Sequence, residues 1–116
     1  MQTVKTLVMI VRLCWVIALV IGLLLWSGKE ISLAVHALPG AIVAISLLFL
    51  GVKGFRVAAA PAAVAVVVAL LLPVLGIMQL GSLAATTGML LPGLHVVLAL
   101  ASIGLAEVLG KKLRTA

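Results

Sequence analysis

At 116 residues, with 66% hydrophobic and 9% charged side chains, the chain has too few polar groups to coat a soluble globule and more apolar surface than one can bury. Two Trp, two Phe and no Tyr leave nothing for the aromatic girdles of an outer-membrane barrel, and helices are the other structure that satisfies its own backbone in hydrocarbon. The net charge of +6 would suggest nucleic acid in a soluble protein, but the basic residues sit at the ends of apolar stretches and form no binding face, so they report topology and no nucleic-acid partner is expected.

The first uncharged stretch runs from Leu13 to Gly28 and is extended N-terminally by Leu7 to Val11 around Arg12. Lys5 and Arg12 can snorkel to the headgroups. No polar segment with a small-residue cleavage site follows Trp26, so removal as a signal peptide is not expected. Cys14 has no intrachain disulfide partner and reads as a small buried hydrophobe. Trp26 fits an interfacial anchor at one end of this span, and Trp15 is expected to play the same part at the other.

A second uncharged run covers Ile31 to Val52, and a third covers Val57 to Ala106, which is long enough for two helices. The break in the third falls at Gly81-Ser82-Leu83-Ala84-Ala85-Thr86-Thr87-Gly88, a small and polar segment that predicts a turn. The spans are therefore expected near 7–27, 33–52, 58–80 and 89–110, forming one transmembrane domain. Pro61 falls in the first turn of the third span, whereas Pro73 lies mid-span, where it kinks the helix or releases a carbonyl.

Of the eight Lys and Arg residues, Lys5, Arg12, Lys53, Arg56, Lys111, Lys112 and Arg114 fall with the termini and the middle loop, and only Lys29 falls on the other side. The fold expected is an all-α, integral membrane, up-down-up-down four-helix bundle with both termini cytoplasmic. A multi-pass protein of a bacterial-type inner membrane is the matching location.

His36 and His95 are the only histidines, and each lies in apolar sequence, where an unpartnered imidazole is unfavourable. His36 precedes Lys53 by 17 residues and His95 precedes Lys111 by 16, so the two sit at nearly one depth on the second and fourth spans. Those spans run the same way and are diagonal across an up-down bundle. Two imidazoles facing each other there have the geometry of bis-histidine haem ligation. Each helix also offers a small residue one turn on. Gly40 and Ala44 follow His36, while Ala99 and Ser102 follow His95. A Pro-Gly pair, Pro39-Gly40 or Pro92-Gly93, lies within a turn of each histidine. Val20-Ile21-Gly22 echoes Val74-Leu75-Gly76 on the first and third spans, as a duplicated hairpin would.

In its histidine-bearing helices and short connections the chain resembles small b-type membrane cytochromes, including the four-helix anchor proteins of succinate dehydrogenase-like enzymes. The resemblance implies haem b, electron exchange with a quinone or a redox partner subunit, and an electron carrier more than an enzyme. It also implies an arginine near the haem propionates, which has no counterpart here. The corresponding side offers only Lys29 and the hydroxyls of Ser27, Ser32, Thr86 and Thr87.

Gln79 is a secondary candidate for the haem edge or a quinone carbonyl, set against an ordinary interhelical hydrogen bond. Glu107 is expected to pair with Arg12, Lys53 or Lys111. Gly22, Gly51, Gly76 and Gly104 are expected at helix contacts, within one chain or across a homodimer. Three other functions fit the same composition. The first is a cofactor-free accessory or scaffolding subunit, and the second a small transporter, although the carboxylate that small multidrug transporters carry in their first helix is missing. The third is a protein that holds chlorophyll-type pigments through the same histidines.

Overall fold

The computed structural model describes residues 1–81 and 86–116 and is all-helical, with four long helices: α1 (Gln2–Trp26), α2 (Leu33–Gly54), α3 (Ala59–Met78) and α4 (Leu90–Thr115). Each is long and apolar enough to cross a membrane. Residues 82–85 of the turn expected between the last two spans lie outside the described residues.

The helices overrun the expected spans chiefly at the charged ends. α1 begins at Gln2 and α4 continues to Thr115. Hydropathy marks where a helix meets hydrocarbon, whereas its hydrogen-bond ladder continues into the headgroup layer. A helix of 26 residues is roughly 39 Å long at 1.5 Å per residue, more than the ~30 Å hydrocarbon core. Lys112 and Arg114 occupy the last turn of α4, where cations complement the helix dipole. The molecule measures 45 × 23 × 15 Å.

α1 stops because Gly28 adopts φ +92°. Its N–H donates to the Leu25 carbonyl and that of Lys29 to the Leu24 carbonyl, the left-handed glycine stop that satisfies a helix's last acceptors. The Ser27 hydroxyl donates to the Leu24 carbonyl as well. α3 carries Pro73 within its length and stays helical to Met78.

The core is concentrated toward the end of the molecule that holds the chain termini. Val4, Val8 and Val11 of α1, Val43, Leu47 and Leu50 of α2, Ala62, Ala65 and Val68 of α3, and Ala106 and Leu109 of α4 are buried in one cluster. Small residues let the backbones close there. A Cβ on Gly51 would come within 2.9 Å of Val66 Cγ2 and 3.2 Å of the Ala62 carbonyl, and one on Gly54 within 2.8 Å of Leu109 Cδ2. A Cβ on Gly110 would fall 2.5 Å from Val8 Cγ2. Gly104, in contrast, meets nothing within 4 Å.

Two polar ties join α1 to α4. Glu107 receives Arg12 through both oxygens, Nε to Oε1 at 2.5 Å and Nη2 to Oε2 at 2.9 Å, so Arg12 is the partner among the three expected. Trp15 is half-buried and donates Nε1–H to the Ala99 carbonyl at 2.6 Å. An indole inside a packed seam needs an acceptor, and Trp15 is a strut between helices instead of the interfacial anchor expected of it.

Candidate functional site

Beyond these core side chains, Ala18 of α1, Leu72 of α3 and Leu91 of α4 are also buried. His36 and His95 face each other. Their ring centroids are 6.2 Å apart and the ring planes are inclined at 57°.

The setting of His36 fixes its tautomer. Nδ1 lies 2.8 Å from the Ala18 carbonyl oxygen, and since a carbonyl can only accept, Nδ1 carries the proton. In the neutral ring Nε2 then keeps its lone pair. A backbone carbonyl on one ring nitrogen is the usual way a metal-binding imidazole is oriented and made more basic at the other. α1 can come this close because position 22 is glycine: a Cβ there would be 2.9 Å from His36 Cε1.

His95 stands in a related place against α3. A Cβ on Gly76 would be 3.5 Å from its Cε1, and its Nδ1 is buried with no hydrogen-bond partner. The same sequence offset separates Ala18 from Leu72 and Gly22 from Gly76. Each histidine therefore rests on a glycine of the preceding helix, and His36 also bonds the carbonyl one turn before its glycine. The echo of Gly22 and Gly76 carries this signal in the sequence. The Ala18 carbonyl leaves none, because a backbone acceptor has no residue-type signature.

The other expected site residues take different places. Ala99 packs against the core, and its carbonyl accepts from both Trp15 and Ser102. Ser102 is fully buried, with Oγ 2.6 Å from that carbonyl, the local bond a helical serine makes back along its own chain. Gly40 has open space where a Cβ would stand. Gln79 donates Nε2–H to the Leu75 carbonyl of its own helix at 3.2 Å, which is neither a bond to another helix nor a contact with the histidines.

Chemically, the pair has the spacing of two imidazoles on one metal ion. A metal–imidazole bond is ~2.0–2.1 Å, which puts two opposed ligand nitrogens about 4 Å apart and their ring centres about 6 Å apart. Among the described residues no group of three or more His, Cys, Asp or Glu comes together. A two-histidine site suits an ion whose remaining ligands arrive with it, as a porphyrin supplies four. An orphaned buried nitrogen on His95 and an Nδ1 of His36 committed to a carbonyl fit such a group.

Fold and site together define the class: a four-helix protein of membrane-spanning length with an intramembrane histidine pair. No protein family, curated protein or solved structure matches the chain.

Proposed function

We propose that the chain is an up-down-up-down protein of a bacterial-type inner membrane, with both termini in the cytoplasm, that holds one haem b between His36 and His95 and carries electrons to or from a quinone or a redox partner subunit. The seven-to-one distribution of Lys and Arg supports the orientation. The observation that carries the haem reading is the 6.2 Å histidine pair with the Nδ1 of His36 committed to the Ala18 carbonyl.

When bound, the haem supplies one-electron chemistry at its iron. The protein does the rest. His36 would hold the haem through Nε2, with Nδ1 fixed by the Ala18 carbonyl and the ring seated on Gly22, and His95 would hold it from α4. Gly40 leaves room beside the site. The apolar helices would exclude water, and two imidazole ligands in a low-dielectric site would be the chain's means of tuning the potential.

Protein purified from haem-replete cells should show a Soret band with sharp α and β bands on reduction. His36→Ala and His95→Ala should each abolish the six-coordinate spectrum while leaving the helical circular dichroism in place. A colourless wild type purified from such cells rejects the proposal, and absorption in the far red would assign the histidines to a chlorophyll-type pigment.

A further inference from the structure

We infer that the groove between α1 and α4, at the end of the molecule holding the termini, binds the phosphate headgroup of an anionic glycerophospholipid. The inference is independent of the haem. Lys5 and Arg12 lie two turns apart on one face of α1, and both line this groove together with Val8, Met9 and Arg114. Its volume of about 310 Å³ is at the lower end of the range that small-ligand sites occupy. Arg114 is drawn back into the seam, its Nη1 only 3.3 Å from where a Cβ on Gly110 would stand.

The groove holds more positive charge than the protein can answer. The chain has two acidic side chains, and Glu30 lies in the connection between α1 and α2, leaving Glu107 alone at this end. Glu107 is taken by the Nε and Nη2 of Arg12. Three cations against one carboxylate leave two charges uncompensated, at the edge of a medium where an unpaired charge is unfavourable. Arg12 still has Nη1 to offer, 3.9 Å from Met9 Sδ in the groove wall. A phosphodiester brings acceptor oxygens and a negative charge, which guanidinium and ammonium groups bind through short charge-assisted hydrogen bonds.

A free phosphate would meet the same cations, but the wall selects a lipid. Met9, Leu13, Val16 and Val20 follow one another at spacings of four, three and four on α1 and are 60%, 64%, 52% and 50% exposed. They make an apolar track leading from the groove along the helix, where an acyl chain can lie. A second groove, lined by Val52, Lys53, Arg56, Val57 and Leu113, serves as the internal comparison. There the Lys53 ammonium already sits 4.9 Å over the Phe49 ring.

The test is native mass spectrometry of the full chain in neutral detergent, titrated with dioleoylphosphatidylglycerol, dioleoylphosphatidylcholine or inorganic phosphate. One phosphatidylglycerol per chain should bind, at least tenfold tighter than phosphatidylcholine, and millimolar phosphate should neither bind nor displace it. The double variant Lys5→Gln/Arg114→Gln should bind about 30-fold more weakly, the size expected of two cations at a lipid headgroup. Lys53→Gln/Arg56→Gln should change affinity less than about threefold, and Arg114→Lys should keep most of the binding. Should the double variant lose its helical circular dichroism, the exposed Lys5→Gln alone carries the test with about a fivefold loss. Equal losses in the two double variants, equal affinity for the two lipids, or displacement by free phosphate would each overturn the site.

Discussion

Two glycines eleven residues apart on α2 meet opposite surroundings. Gly51 is wedged against the Ala62 carbonyl and Val66, whereas Gly40 faces open space. The first belongs to the half of the bundle where α1, α2, α3 and α4 share a buried core, and the second to the half where two histidines face each other. Interiors normally reach crystal-like density. The close-packed half can hold the helices together, while the histidine half adds few residues to that core.

Breaking the packed half should have the largest effect on stability. Leu50 and Leu109 are fully buried, and Leu50→Ala or Leu109→Ala should each lower stability by about 2–5 kcal/mol, read as thermal unfolding in mild detergent. Leu38, 66% exposed near the histidines, should tolerate the same truncation with almost no change. Comparable losses at both levels would dissolve the contrast between the halves.

Next come the glycines themselves. Gly51→Ala drives a methyl into Ala62 and Val66 and should cost about 1–3 kcal/mol. Gly40→Ala should leave the haem-free protein unaffected yet weaken haem binding in a titration, because only the loaded protein uses that space.

The smallest effect separates the two histidine seats. Gly22→Ala would place a methyl 2.9 Å from His36 Cε1, whereas Gly76→Ala would place one at an ordinary 3.5 Å from His95 Cε1. Gly22→Ala should therefore turn the His36 ring away from the Ala18 carbonyl, losing about 0.5–1.5 kcal/mol of hydrogen bonding, visible as a broadened haem spectrum and weaker haem retention. Gly76→Ala should resemble the wild type in both readings.

The four helices were legible in the sequence because hydropathy and length act on whole segments. The approach of His36 to His95 was expected from their matched distances to Lys53 and Lys111, quantities that a helix converts directly into depth. Side-chain direction was harder to read. Ser102 falls near a turn multiple from His95, but its hydroxyl finishes on the Ala99 carbonyl of its own helix, and Gln79 turns back to Leu75 in the same way. Trp15 could be taken for an interfacial anchor from its place near a span end, since nothing in composition reveals that a carbonyl of α4 lies within reach. The contrast between the two halves was hidden for a similar reason. Both are apolar, and composition does not say which side chains finish in the shared core.

The haem-to-chain ratio of protein purified from haem-replete cells, taken with its reduced-minus-oxidised spectrum, tests the histidine pair most directly. One b-type haem per chain with a six-coordinate spectrum is the expected result. No haem would contradict it outright, and one haem per two chains would place the iron between molecules and contradict the pairing of His36 with His95 inside a single bundle.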